Sequence, residues 1–369
     1  MSDPIAPAGD VPVPAGHLNA PVADMLAPDL AVATRGLVKS YGKHRALVGL
    51  DMSVPRGKVY GFLGPNGSGK TTALRLLTGL LRPDAGSIAL FGTPYTWHDR
   101  KRLFRVGSLI ETPSFYPYLS GYENLVVLAA SGPQTDLSRI NQVLEYVGMG
   151  GRGKDAVQTY SLGMKQRLGI AAAMLSDPDL LLLDEPANGL DPGGMVAMRE
   201  TLRYFTRDLG KTVVISSHLL HEVEQLADVV GIIDRGRLLR EGDLQQLLED
   251  AGRVKVRVAP AEMARASEIL RTLAPERPLY GVDTGDAAGW FTVAIAPARA
   301  TEVNRLLAEA GIWASGLEPG SDLETVFLEL TGSGEAVHDR PEGMPRALDG
   351  SATGLDGPLP PTPGPGPAA

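Results

Sequence analysis

The sequence predicts an α/β protein built on a parallel sheet, followed by a second, smaller α+β domain. From about residue 32 to 248, short apolar strands alternate with helical segments, a pattern typical of a parallel sheet with crossover helices. After Arg253 the segment RVKVRVA alternates polar and apolar residues with period two, and helical spacing follows over 262–273. This change of pattern predicts a domain boundary near residue 250.

The individual strands and helices can be assigned in chain order. GKVYGFLG (57–64) predicts a strand that runs into a glycine turn, and KTTALRLLTGLL (70–81) predicts the helix that follows it. The other predicted elements are the strands DLLLLDEP, KTVVISSH and WFTVAIA and helices over 301–310 and 323–330.

Two terminal segments, 1–30 and 333–369, are rich in proline, alanine and glycine and poor in aromatic residues. Such segments bury too little apolar area to offset the entropy that ordering removes. We expect both to be disordered tails. Between them the sequence divides into a domain over 31–250 and an accessory domain over 251–332.

The composition excludes several classes of function. The 369 residues carry a formal net charge of −8 and contain no cysteine. The acidic balance argues against a dedicated nucleic-acid binder, and the lack of cysteine excludes disulfides and thiolate catalysis. Because the first basic side chain is Arg35, we expect no signal peptide. No stretch approaches the roughly 20 apolar residues of a membrane span, so we expect any span to come from another chain.

A glycine-rich segment, GPNGSGKT (Gly64–Thr71), matches the phosphate-binding pattern G-x-x-x-x-G-K-[ST] between a predicted strand and a predicted helix. Its glycines allow backbone N–H groups to face phosphate oxygens, and the helix dipole favours an anion there. Lys70 is expected to reach the β- and γ-phosphates, and the Thr71 hydroxyl to bind Mg²⁺. The alternative, a glycine turn that binds nothing, leaves the full pattern unexplained. The nucleotide-binding residues predicted from this segment are Gly64, Pro65, Asn66, Gly67, Ser68, Gly69, Lys70, Thr71 and Thr72.

Two acidic residues, Asp184 and Glu185, end the apolar strand DLLLLDEP. At the carboxyl edge of a parallel sheet both side chains can turn toward one phosphate pocket. Asp184 suits the acidic residue that holds Mg²⁺ in phosphate-loop NTPases, and Glu185 is then placed to polarise the attacking water. Taken alone, the pair could be solvated carboxylates, but the phosphate loop upstream favours the catalytic interpretation.

The order of the motifs resembles that of the ATP-binding cassette (ABC) ATPases. YSLGMKQR (Tyr160–Arg167), which precedes the Asp184 strand, is similar to the signature motif of that family. NGLDP (Asn188–Pro192) is similar to its D-loop, and His218 stands where the family has its switch histidine. With the phosphate loop and the acidic strand these make five motifs in order, and they identify residues 32–245 as a cassette. The resemblance implies a phosphate-loop NTPase fold with a helical subdomain over about 110–175.

The resemblance also implies that two cassettes pair head to tail, so that the signature of one subunit completes the ATP site of the other. Ser161 and the backbone of Gly163 would contact the γ-phosphate in trans and stabilise the transition state. His218 would hold the γ-phosphate and the attacking water, and Asp191 would link the two sites. The catalytic candidates are therefore Glu185, His218 and Lys70.

Two further positions follow from the resemblance. Tyr41 matches the aromatic residue on which the family stacks adenine; stacking is worth about 1–3 kcal/mol but discriminates poorly between bases. The alternative is that Tyr41 is an ordinary core or surface tyrosine.

Glu111 stands where the family usually has a glutamine that contacts Mg²⁺ and senses the permease. A carboxylate can bind Mg²⁺ but cannot donate a hydrogen bond as an amide can. The predicted Mg²⁺ ligands are Thr71, Asp184 and Glu111.

Glu111 and the string FLELTG (Phe327–Gly332) resemble the exporter subunits of bacitracin resistance and lantibiotic immunity. Leu162 replaces a glycine of many signature motifs, which is common in exporters. The resemblance implies an ATP- and Mg²⁺-dependent ATPase that powers export of a drug or antimicrobial peptide through a separate permease. It further implies a homodimer at the cytoplasmic face of the cell membrane, without a nucleic-acid partner.

Two other classes of function would show different features in the sequence or in its products. A soluble ABC-type ATPase acting on the ribosome or nucleic acid would carry two cassettes or a long coiled-coil insertion, and the sequence has neither. Salt-sensitive binding to nucleic acid would support that class. In a phosphate-loop kinase the signature motif would have no role. Detection of a phosphorylated metabolite as the product would support the kinase class.

Overall fold

The computed structural model describes residues 26–96, 100–111, 113–131, 137–274, 279–282, 289–320, 322–331 and 346–347. These residues form two compact units. The first contains residues up to Leu247 together with the helix that begins at Leu323, and the second contains residues from Leu248 to Asp322 together with the described residues 346–347. The two predicted tails lie almost wholly outside the described residues.

Strands and helices alternate along the first unit. Its strands are β1 (Leu30–Tyr41), β2 (His44–Pro55), β3 (Val59–Leu63), β4 (Ala85–Leu90), β5 (Thr93–Tyr95), β6 (Val106–Leu109), β7 (Leu180–Asp184), β8 (Thr212–Ser217), β9 (Val229–Asp234) and β10 (Arg237–Asp243). The helices that begin in it are α1 (Lys70–Leu77), α2 (Gly121–Ala130), α3 (Ser138–Tyr146), α4 (Leu162–Ala173), α5 (Pro192–Arg207), α6 (Leu220–Glu224) and α7 (Leu244–Ala251). None of the helices in the described part of the chain has the length and apolar character needed to cross a membrane.

A six-stranded sheet in the order β10-β9-β3-β8-β7-β6 organises the first unit. β3 pairs in parallel with β8 and β9, and β7 pairs in parallel with β6 and β8, whereas β10 is antiparallel to β9. Every residue of β3 and of β8 is buried, which explains the apolar runs that predict these strands. The predicted parallel sheet is confirmed. β3, β7 and β8 end beside the phosphate loop, Glu185 and His218, respectively.

A second, antiparallel sheet in the order β2-β1-β4-β5 is absent from the sequence-based prediction. β1 and β2 form a hairpin in which Tyr41 lies opposite His44, with Gly42 at φ 60° in the turn. Fully buried side chains of this sheet, such as Leu47, share one core with Leu74 of α1. The hairpin therefore carries Tyr41 at its tip and packs against the helix that follows the phosphate loop.

Helices α2, α3 and α4 lie between β6 and β7 in the chain and pack on one another. α2 begins at a capping box, in which the Ser120 hydroxyl accepts from the Glu123 N–H and the Glu123 carboxylate accepts from the Ser120 N–H. Ser161 directly precedes α4, and its hydroxyl accepts from the Met164 N–H at 3.3 Å. The signature segment therefore starts a helix, with Ser161 as its N-cap.

The second unit is a small α+β layer pair. Its elements are β11 (Val254–Arg257), α8 (Met263–Arg271), β12 (Tyr280–Val282), β13 (Trp290–Val293), α9 (Ala300–Glu309), β14 (Gly316–Pro319) and β15 (Arg346–Ala347). The antiparallel sheet has the order β14-β11-β13-β12-β15, so β15 lies within the segment expected to be a tail. Along β11, Val254 and Val256 are buried and Arg257 is exposed, and one core includes residues of the sheet, α8 and α9. The predicted α+β class is confirmed.

Helix α10 (Leu323–Thr331) differs from the sequence-based domain boundary. The sequence places it in the accessory domain over 251–332, whereas in the structure it belongs to the first unit. Leu323 is fully buried, and the helix packs against α6. Burial of this apolar side chain explains why the chain returns to the first unit, and sequence order alone does not reveal it.

Candidate functional site

The phosphate loop joins β3 to α1. Gly67 and Gly69 have φ values of 80° and 110°, backbone conformations that favour glycine. A Cβ atom on Gly64 would lie 2.3 Å from the carbonyl oxygen of Ile233. The loop therefore needs glycine both for its conformation and for its close approach to β9.

Lys70 opens α1 with its side chain turned into the loop. It is 6% exposed, and its ammonium group donates to the carbonyl oxygens of Gly64 at 2.7 Å and Pro65 at 3.2 Å. Burial lowers the pKa of Lys70, and the carboxylates of Glu185 and Asp184 oppose that shift. A buried amine beside the loop suits a point contact with phosphate oxygens.

Thr71, Asp184 and Ser216 form one hydrogen-bonded group at the carboxyl ends of β7 and β8. The Thr71 hydroxyl donates to Asp184 Oδ2 at 2.7 Å, and the Ser216 hydroxyl donates to Asp184 Oδ1. Asp184 and Ser216 are also paired in the sheet. Hydroxyl and carboxylate oxygens are hard donors of the kind that Mg²⁺ prefers, so this pair of predicted ligands fits that ion. Sequence analysis missed Ser216, whose only signal is its place two residues before His218.

Glu185 turns toward the same end of the sheet as Asp184. It has φ 47°, a left-handed conformation that is uncommon for a residue other than glycine. Its N–H donates to the Ser216 hydroxyl at 3.0 Å, and its Oε2 lies 3.0 Å from His218 Nδ1. This turn explains how two consecutive residues at the end of one strand both approach the phosphate loop. The structure thus brings two predicted catalytic side chains, Glu185 and His218, into contact.

A cleft opens beside the phosphate loop. It is lined by Tyr41, His44, Ala46, Asn66, Gly67, Gly69, Lys70, Thr71, Thr72 and Glu185. Tyr41 is 45% exposed, so its ring is accessible to a planar ligand. The hydroxyl of Ser68 is buried and has no hydrogen-bond partner among the described residues. His44 and Ala46 were missed by sequence analysis because only the β1–β2 hairpin brings them here.

Glu111 lies just beyond β6, whose Leu109 pairs with Leu183 of β7, so it shares the sheet end that carries Asp184. It has φ 72°, and its carboxylate forms an ion pair with Arg75 of α1. The Glu111 side chain is 62% exposed. The structure directs this carboxylate to an arginine, and its role as an Mg²⁺ ligand stays a prediction. No group of three or more His, Cys, Asp or Glu residues in the described ranges could hold a metal ion.

The signature segment presents its start to the surface. Ser161 is exposed, Leu162 is 48% exposed, and neither Ser161 nor Gly163 is among the described residues that line the cleft beside the phosphate loop. A Cβ atom on Gly189 would lie 2.9 Å from Leu162 Cδ2, so the signature packs against the D-loop of the same chain. The Asp191 side chain caps the start of α5.

Comparison with known proteins decides the family. Residues 47–188 match the family model described as ABC transporter. The bacitracin transport ATP-binding protein of Enterococcus faecalis is 37% identical over 311 residues, which cover 84% of this chain and 99% of that protein. The chain belongs to the ATP-binding proteins of ABC transporters. The family predicted from the motifs is confirmed, and the chain is an ATPase of this family.

Further comparisons agree with this ABC ATPase assignment. The lantibiotic transport ATP-binding protein of Streptococcus pyogenes is 45% identical over 207 residues, which cover 56% of this chain and 88% of that protein. A solved ATP-binding subunit of an ABC transporter superposes with a TM-score of 0.53 at 27% identity and covers 60% of this chain and 92% of that one. The predicted cassette fold is confirmed.

Proposed function

We propose that this ABC ATPase powers export of a drug or antimicrobial peptide through a separate membrane permease. The contact of 3.0 Å between Glu185 and His218, beside the buried Lys70, carries the proposal for hydrolysis. The similarity to bacitracin and lantibiotic transport ATP-binding proteins supports export.

Each residue of the site acts on the bound nucleotide in its own way. The loop N–H groups and Lys70 bind the phosphates, and Tyr41 stacks on the adenine. Thr71 and Asp184 would hold Mg²⁺, which would supply positive charge to the phosphate oxygens. Glu185 accepts a hydrogen bond from the attacking water and polarises it, while His218 keeps the Glu185 carboxylate in place.

A second copy of the chain completes the site. Ser161 and Gly163 lie on the exposed start of α4 and do not line the cleft in the described part of their own chain. In a head-to-tail homodimer they reach the γ-phosphate bound by the partner. Fixed donors of this kind stabilise the charge that develops during phosphoryl transfer.

The permease docks near Glu111 and holds the ATPase at the cytoplasmic face of the membrane. Tyr116 and Tyr118, which follow Glu111 in the chain, are 61% and 82% exposed. Exposed aromatic side chains are enriched at interfaces between proteins, so this surface suits the coupling contact.

Co-purification tests the exporter assignment. A tagged chain should isolate a multispanning membrane protein from detergent extracts of its own cells, and that partner should change the ATPase rate. A chain that isolates no such protein, and whose ATPase rate is the same with and without membranes, contradicts the proposal.

Replacing Glu111 tests the coupling contact. Glu111→Gln keeps a side-chain oxygen but removes the charge that pairs with Arg75, so drug or peptide resistance in cells should fall more than the ATPase rate of the purified chain. The matched control is Glu309→Gln, which alters an exposed carboxylate that pairs with Arg305 at 3.2 Å in the second unit. An unchanged resistance level in Glu111→Gln cells contradicts a coupling role.

A further inference from the structure

Helix α10 docks on the short helix that follows the switch histidine. α6 begins two residues after His218, and α10 packs against it within the first unit. In α10, Leu323 is 0% exposed and Val326 is 7% exposed. Helix α10, which holds Phe327–Thr331 of the FLELTG string, therefore lies against the helix that follows His218.

One hydrogen bond joins the end of α6 to the start of α10. The backbone N–H of Leu323, the first residue of α10, donates to Glu224 Oε2 at 3.1 Å. Such N–H groups have no partner inside their own helix, and a carboxylate is favourable at the positive end of the helix dipole. Glu224 is the last residue of α6, where a negative charge is unfavourable without such a partner. The contact therefore stabilises both helix ends together.

Two other residues of α6 contact β3 and α5. A Cβ atom on Gly61 of β3 would lie 2.3 Å from Val223 Cγ1, so α6 touches the strand that leads into the phosphate loop. Glu222 Oε2 lies 3.5 Å from Arg199 Nε of α5, the helix that follows the D-loop. A shift of α6 would therefore alter its contacts with β3 and α5 and the position of His218.

We propose that α10 positions the switch histidine through Glu224, which makes Glu224 a positioning residue for ATP hydrolysis. The Glu224–Leu323 hydrogen bond holds α6, and α6 holds His218 against Glu185, where their side chains lie 3.0 Å apart. The proposal rests on the roles of Glu185 and His218 in hydrolysis. It is independent of which permease or cargo the ATPase serves.

Three variants of Glu224 in the full-length purified chain test this inference. Glu224→Ala removes the acceptor, and Glu224→Asp withdraws it by one methylene, so both should lower kcat about tenfold, as for loss of a hydrogen bond to a charged group. Glu224→Gln retains an oxygen acceptor and should retain most of kcat. The affinity for ATP, measured with a fluorescent nucleotide, should be unchanged in all three. The matched control is Glu200→Ala, an exposed carboxylate on α5, which should behave as wild type.

A double-variant cycle with His218→Ala identifies the route of the effect. If Glu224 acts through His218, Glu224→Ala should lower kcat in the wild-type background and have little further effect in the His218→Ala background. Equal losses in both backgrounds overturn the inference, as does a wild-type kcat in Glu224→Ala. A Glu224→Gln variant as impaired as Glu224→Ala also overturns it. Because these assays contain no membrane, failure to find an exported cargo would affect only the proposed function.

Discussion

At the scale of single residues, Glu185 offers the most direct test of the hydrolytic chemistry. Glu185→Gln keeps the size of the side chain but removes the carboxylate that faces His218. We expect ATP binding to persist, while phosphate release falls by about 10²–10⁴-fold, the usual contribution of a general base. Nucleotide titration measures ATP binding, and phosphate release at saturating ATP and Mg²⁺ measures turnover. The control is Glu200→Gln on α5, and full turnover in Glu185→Gln would remove Glu185 from this role.

Glu241 makes the stability of the first unit depend on pH. Burial raises the pKa of its carboxyl above the ordinary value of 4.5, and hydrogen bonds from the Ser53 N–H at 2.9 Å and the Tyr60 hydroxyl at 2.6 Å oppose that shift. Between the ordinary and the raised pKa the folded state binds more protons than the unfolded state. The free energy of unfolding contributed by this group therefore falls as pH rises through that window.

Glu241→Gln should remove this pH dependence. The stability of the variant relative to wild type, measured by urea unfolding, should increase as pH rises above 4.5. Glu123→Gln is a control of opposite sign, because hydrogen bonds from Ser120 lower the pKa of Glu123. Its stability relative to wild type should decrease as pH rises through the window between the lowered and the ordinary pKa. Parallel pH profiles for Glu241→Gln and wild type would contradict the role of Glu241.

The site residues that the sequence predicts belong to local motifs, whereas those that it does not predict are brought to the site by tertiary structure. Lys70 and His218 belong to local motifs whose spacing in the chain reflects their chemistry. Ser216 and Arg75 reach Asp184 and Glu111 only because β7 pairs with β8 and α1 lies beside the end of β6. Contacts of this second kind depend on tertiary structure, and no spacing in the chain predicts them.

At the scale of elements, the contact of α6 with β3 depends on Gly61. A Cβ atom there would lie 2.3 Å from Val223 Cγ1, so Gly61→Ala forces the helix or the strand to move. We expect it to lower the free energy of unfolding by about 1–3 kcal/mol, the usual cost of overpacking. Gly151→Ala is the control, because nothing lies within 4 Å of its added Cβ. Urea unfolding measures both, and equal stability of the two variants would contradict the close packing of α6.

The elements also show how far sequence patterns reach. β3, β7 and β8 were predictable, because strands buried on both faces of a parallel sheet are short apolar runs. The β1–β2 hairpin was not predictable in this way, because no pattern in its sequence distinguished it from the parallel-sheet strands that follow. Helix α10 was found by its spacing but placed in the wrong unit by its position in the chain. The periodicity of the sequence therefore predicts individual strands and helices, whereas only the structure shows which elements each of them packs against.

At the scale of the whole molecule, two exposed surfaces suit the two proposed protein partners. Leu162 at the start of α4 is 48% exposed, and Tyr118, beyond β6, is 82% exposed. The first surface carries the signature, which we propose binds a second copy of the chain. The second follows Glu111, where we propose that the permease docks. The two proposals can be separated, because only the first requires ATP.

Formation of the homodimer should depend on ATP and on the signature. We expect the Glu185→Gln chain to sediment as a dimer with ATP and as a monomer without it, because the bound nucleotide is the contact between the two copies and is hydrolysed only slowly. Adding Ser161→Arg places a bulky side chain at the exposed N-cap of α4 and should abolish the dimer while leaving nucleotide binding intact. Ala264→Arg, at an exposed position on α8, should leave the dimer unchanged. Analytical ultracentrifugation measures all four states, and a Ser161→Arg chain that still dimerises with ATP would show that the signature does not contact the partner's nucleotide.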